Sequence, residues 1–206
     1  LTRFSLAMLA EMYLPFFLLG MGFLAIAAVV FRAAPREEIN LVFATLCTAM
    51  AGFMLDQFSA LRLSSRFPEA WGLSLILQGL WLPFMGALIV HLIALITTPS
   101  GLSLRARRAL RIYYGLSALV SVAILLTYMI TNQSLNRVLT GFSLLFCTVS
   151  SAAALTWGIL RLGQVYRTPP SLRTKRQSGL MALGLAALFV TILPLYLYYL
   201  TDIPLY

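Results

Sequence analysis

Leu116-Ser-Ala-Leu-Val-Ser-Val-Ala-Ile-Leu-Leu126 decides the fold. The stretch carries no charge, no Pro and no Gly, and its apolar side chains do not alternate. Only helices and closed barrels satisfy every backbone N–H and C=O inside lipid, and a barrel strand would alternate every second residue. The run is therefore helical. Leu180–Leu188 has the same non-alternating character. Reading outward, Leu116–Leu126 is the centre of a longer stretch, Ala109–Ile130. Five others accompany it: Phe4–Arg32, Asn40–Leu61, Trp71–Thr97, Leu139–Leu162 and Gly179–Leu200. A hydrocarbon core about 30 Å thick needs roughly 20 helical residues to cross. Each stretch is about that long.

Composition agrees. The 206 residues are 61% hydrophobic and 10% charged, with a mean hydropathy of +0.91. A soluble domain would carry about 25% charged residues. The sequence predicts an all-α, polytopic transmembrane bundle over residues 1–206, a single domain of six helices. The ends read as cut: there is no initiator Met, and Asp202-Ile-Pro-Leu-Tyr206 reads as an outer turn entering another apolar segment. The expectation is part of a seven-helix unit.

Lys and Arg in short loops set the orientation. Arg105, Arg107, Arg108 and Arg111 follow the third stretch, and Arg161, Arg167, Arg173, Lys175 and Arg176 follow the fifth. Placing both in the cytoplasm also places Arg32–Glu38 there. Arg62, Arg66 and Arg137 are left outside, which puts the N-terminus outside as well. Tyr13, Tyr128, Tyr196, Tyr198 and Tyr199 then fall near the outer interface, and Tyr113, Tyr114 and Tyr166 near the inner one. The same loop bias explains the net charge of +9. Basic loops between spans meet anionic headgroups first, and they offer no folded surface for reading nucleic acid. The expected partners are the bilayer and, through small-residue faces, a homodimer or larger membrane assembly. Those faces are Thr48/Gly52, Ser117/Ser121, Ser150–Ala154 and Ser178/Ala182/Ala186.

Few polar groups lie inside the spans, and intramembrane ionisable residues default to functional hypotheses. Glu11, Asp56 and Gln78 fall at similar depth on the outer side of the first three helices. They either line an outward-opening, ligand-binding pocket or form surface pairs, Asp56 with Arg62 and Glu11 with Arg3. Pro15, Pro83 and Pro194 each remove a helical hydrogen bond and predict kinks or hinges. His91 is the sole histidine. One histidine excludes a bis-histidine haem within the chain, and no metal-ligand cluster stands beside it. It predicts an interhelical hydrogen bond to a Ser or Thr, with a proton-linked switch as the other reading. Cys47 and Cys147 read as packing residues. No phosphate loop, Gly-x-Ser-x-Gly, His-Glu-x-x-His or Cys-x-x-Cys occurs, and the only lysine, Lys175, lies at the membrane surface. The sequence thus shows no catalytic constellation, no metal site and no cofactor site.

Two stretches carry a resemblance: Trp81-Leu-Pro83-Phe-Met-Gly-Ala-Leu-Ile-Val-His91-Leu-Ile-Ala-Leu-Ile-Thr-Thr-Pro99 and Asn40-Leu-Val-Phe-Ala-Thr-Leu-Cys-Thr-Ala-Met-Ala-Gly52. With the six-helix layout, they are similar to the seven-helix N-terminal sensor regions of bacterial histidine kinases and related cyclases and phosphatases. In those regions the third helix often reads Pro, then His, then Pro at its cytoplasmic end, here Pro83, His91 and Pro99. The resemblance implies a sensory or receptor domain of a bacterial inner membrane, signalling to a cytoplasmic output. The seventh helix and effector of that pattern do not occur in these residues, so the output is unassigned. The competing reading is a non-catalytic accessory or scaffold subunit of a larger membrane complex. A transporter would usually show an inverted repeat, and no convincing repeat relates Leu1–Arg105 to Ala106–Tyr206.

Overall fold

The computed structural model describes residues 6–60, 68–98, 101–127, 133–168 and 179. Among these the chain is all-helical, with five helices and no strand: α1 (Leu6–Ala33), α2 (Glu38–Ala60), α3 (Pro68–Thr97), α4 (Leu104–Thr127) and α5 (Gln133–Arg167). The expected sixth helix, with Pro194 and the Ser178/Ala182/Ala186 face, lies outside the described residues.

Three helical segments are long and apolar enough to cross a membrane: Leu14–Ala33, Leu104–Thr127 and Gly141–Arg167. Shorter apolar segments, Glu38–Met54 and Trp81–Thr97, accompany them on α2 and α3. At 1.5 Å per residue α5 extends about 52 Å, so it overshoots a 30 Å hydrocarbon layer.

Two helices, α4 and α5, begin more than a turn before the apolar stretches that announced them. The arginine-rich segment after Thr97 reads as a loop in sequence, yet Arg105, Arg107 and Arg108 belong to the first turns of α4. Ser103 caps that end: its Oγ accepts from the Ala106 N–H at 3.2 Å, and its carbonyl accepts from Arg107 at 2.9 Å. Arginine is a good helix former, so a capped helix continues through the basic run. In the turn before it, Gly101 donates its N–H to the Thr98 carbonyl at 2.9 Å with φ at 92°, a left-handed conformation that favours glycine. The turn between α1 and α2 is tied by Asn40, whose Nδ2 donates to the Ala34 carbonyl and to Glu37 Oε2.

α3 is the hub. It packs on α2, α4 and α5, while α1 packs on α2 and α4 on α5. The main core accordingly centres on Met85, Leu88, Ile89, Leu92 and Ile93 of α3, met by Met50, Val120, Cys147 and Leu155. Pro83 lies inside α3 and is fully buried there. Its ring removes one backbone donor, so the helix passes the bundle's centre with one hydrogen bond fewer. Pro15 likewise sits inside a continuous α1. The outward faces are apolar: Leu18 and Val29 on α1, Ile112 and Leu119 on α4, and Val149 and Leu160 on α5 are all exposed. A helix with this outer surface suits a hydrocarbon solvent.

Candidate functional site

Close helix approach comes first, because it brings the polar groups together. At Gly86 a side chain would run into the Tyr113 hydroxyl and would stand 3.1 Å from the Ser150 carbonyl oxygen. The bare backbone of α3 thus leaves a passage in which Tyr113 of α4 reaches α5, donating its O–H to the Ser150 carbonyl at 3.2 Å. At Gly52 a Cβ would lie 2.8 Å from the Trp81 ring, so that glycine seats an indole rather than a neighbouring backbone.

One residue along, Tyr114 turns to His91. Its hydroxyl is 3.1 Å from His91 Nδ1, and the two rings meet edge-on at 5.9 Å. Phe84 stacks obliquely on the Tyr114 ring at 6.4 Å. On the other side of the imidazole, Nε2 is 3.3 Å from Oε1 of Glu38 in the first turn of α2. The His91 side chain is 14% exposed and that of Glu38 57%, so the histidine is enclosed while the carboxylate reaches outward. A ring protonated on Nε2 donates to Glu38 and accepts the Tyr114 O–H at Nδ1. An imidazolium instead donates at both nitrogens and turns the Glu38 contact into an ion pair. Three helices, α2, α3 and α4, meet at this one side chain.

The bonding partner of His91 differs in kind from the expected Ser or Thr. The nearby hydroxyls are used within their own helices: Thr97 donates to the Ile93 carbonyl at 2.8 Å, and Thr98 to the Ala94 carbonyl. A tyrosine from α4 is long enough to reach across. The hydroxyls of Tyr113 and Tyr114 both bond to other helices. Glu38, which the sequence placed only in the Arg32–Glu38 loop, is the residue that sequence reasoning missed. Its signal was its place in the first turn of a helix.

The other sequence candidates fall on different elements. Glu11, Asp56 and Gln78 belong to α1, α2 and α3, but their side chains lie outside the described residues, as does Pro194. Cys47 and Cys147 are free, buried thiols in the core. Among the described residues no three His, Cys, Asp or Glu side chains gather into a metal site. The small faces of α4 and α5 are buried at Ser117, Ser121, Ser143 and Ser151. Among the described residues the hydroxyls of Ser117, Ser143 and Ser151 have no hydrogen-bond partner, and their small size suits close helix packing.

The Glu38–His91–Tyr114 arrangement can hold helices together and can carry a proton. Among the described residues the imidazole meets only Glu38 and Tyr114, with no Ser, Thr or Cys bonded to it. Comparison with protein-family models, curated proteins and solved structures found no match to this chain.

Proposed function

We propose that the chain is the membrane-embedded sensory part of a signalling protein. In this reading it has six helices of a seven-helix unit, with the N-terminus outside an inner membrane. It passes an outer-side or intramembrane signal to a cytoplasmic output. The observation that carries the reading is the junction at His91. A single side chain of the hub helix contacts one residue of α2 and one of α4, at the end that the basic loops assign to the cytoplasm. Pro83 lies about two turns away on the same helix, where a backbone hydrogen bond is already absent. A bend there moves His91 relative to both partners, so a change on the outer side reaches the inner end as a broken or remade polar contact. Glu11, Asp56 and Gln78 supply the outer pocket in this scheme, and Pro194 a second bend.

Two measurements test it. A Ser103→Cys variant in intact cells should resist a membrane-impermeant maleimide, whereas Asn132→Cys should react. The reverse pattern sinks the orientation. The polypeptide in its native membrane should carry a kinase, cyclase or phosphatase domain whose activity changes in His91→Gln and Glu38→Gln. Stoichiometric purification with other membrane subunits, and no such domain, would establish the accessory-subunit reading instead.

A further inference from the structure

A groove of about 420 Å³ runs between α1 and α2, within the range of roughly 300–1,000 Å³ typical of ligand sites. Leu24, Ala28 and Phe31 form one wall and Leu41 the other. Trp81, seated on Gly52, closes the end away from the α1–α2 turn. Thr45 and Thr48 also line it, but each hydroxyl donates to its own helix, to the carbonyls of Leu41 and Ala44 at 2.8 and 2.9 Å. The walls therefore ask for an apolar, slender occupant.

The opposite end is charged, with both signs. Leu24, Ala28 and Arg32 follow one another at four-residue spacing, so Arg32 continues the groove face by one turn. Arg36 stands in the adjoining turn. Both arginines are exposed, and neither has a hydrogen bond or ion pair among the described residues. On the α2 side Glu37 lies one turn before Leu41, with Oε2 accepting from Asn40 and Oε1 without a partner among the described residues. Glu38 is engaged by His91. The rim thus offers two cations and one carboxylate beside an apolar slot.

We infer that this groove binds one phosphatidylethanolamine. An acyl chain lies between α1 and α2, the phosphodiester meets Arg32 and Arg36, and the ammonium meets Glu37. The mixed signs select the headgroup. A purely anionic headgroup satisfies the arginines but leaves Glu37 without a cation, and a phosphocholine brings no N–H to donate to it. The inference rests on the bilayer placement under Proposed function.

Bromine on an acyl chain quenches a nearby indole, and Trp81 lines the groove. The full chain carrying Trp71→Phe and Trp157→Phe would be reconstituted in dioleoylphosphatidylcholine vesicles. A minor fraction of chain-brominated phosphatidylethanolamine, phosphatidylcholine or phosphatidylglycerol would then be added. The ethanolamine lipid should quench Trp81 with roughly fivefold higher apparent affinity than the other two, the scale of one exposed charged contact. Glu37→Gln should reduce it to the level of phosphatidylcholine. Arg32→Gln with Arg36→Gln should weaken quenching by all three lipids, and Ala28→Phe should abolish it by filling the slot. Equal quenching by all three lipids, a preference for phosphatidylglycerol, or a preference that survives Glu37→Gln would overturn the lipid site and leave the bilayer placement intact. Absence of quenching by every lipid, with the chain failing to float with vesicles, would overturn the placement itself.

Discussion

The polar junction at His91 and the seam of small, buried residues on α4 and α5 solve one problem in opposite ways. Around His91 helices are joined by directional bonds: Glu38 to imidazole, imidazole to Tyr114, and Tyr113 to the Ser150 carbonyl. Along the seam, Ser117, Ser143 and Ser151 are buried more deeply, yet their hydroxyls have no hydrogen-bond partner among the described residues. In lipid there is no hydrophobic drive between helices, so association draws on close packing and interhelical hydrogen bonds. The seam draws on the first and the His91 junction on the second. Close packing tolerates small sliding. Directional bonding fixes one register, or switches between two.

The sharpest way to break this contrast is Gly86→Val. It forces the Tyr113 hydroxyl out of its passage and should cost about 2–3 kcal/mol as an overpacking change. Reversible unfolding in mixed micelles would measure it, and Tyr113→Phe should recover part of the loss by removing the obstructing oxygen. A next, smaller effect is expected at His91. His91→Leu should lower stability by about 1 kcal/mol, the scale of an interhelical hydrogen bond in a membrane, while His91→Gln, which keeps a donor, should cost less. Equal losses in the two variants would mean that the ring's shape matters and its bonds do not. Glu38→Gln should change stability by about 0.5 kcal/mol or less, because the carboxylate is largely exposed. Last, Ser117→Ala, Ser143→Ala and Ser151→Ala should be neutral or slightly stabilising, since each removes a buried hydroxyl without a partner. A loss above about 1 kcal/mol at any of the three would show that the seam is held by a polar contact after all.

Much of the fold could be read from sequence because lipid leaves the backbone few options. Apolar length alone located α1 to α5. It missed the starts of α4 and α5, because hydropathy ends where charge begins, whereas a helix ends where its caps are. Ser103 and the helix-forming arginines after it carried α4 beyond the membrane's own signal. His91 stood out as a lone imidazole in an apolar helix. Its partners did not, for a physical reason: Tyr114 is 23 residues away and lies on another helix, and which faces meet is set by packing that no local pattern records. Tyrosine is also ambiguous at that depth. The same amphipathic ring suits the water boundary and an interhelical bond, and only a glycine passage such as Gly86 tells which applies.

The hub position of α3 has a consequence for biogenesis. Its partners flank it in the chain, α2 before it and α4 and α5 after it. When α3 first leaves the ribosome only one of its three faces has a mate. Met85, Leu88 and Ile93 can rest against lipid or the insertion machinery meanwhile, because they are apolar. The imidazole cannot wait so cheaply. Until Tyr114 is synthesised, the only protein partner described for His91 is Glu38, already made and standing at the start of the preceding helix. The carboxylate that completes the finished junction is therefore the one described partner of His91 already made when α3 emerges.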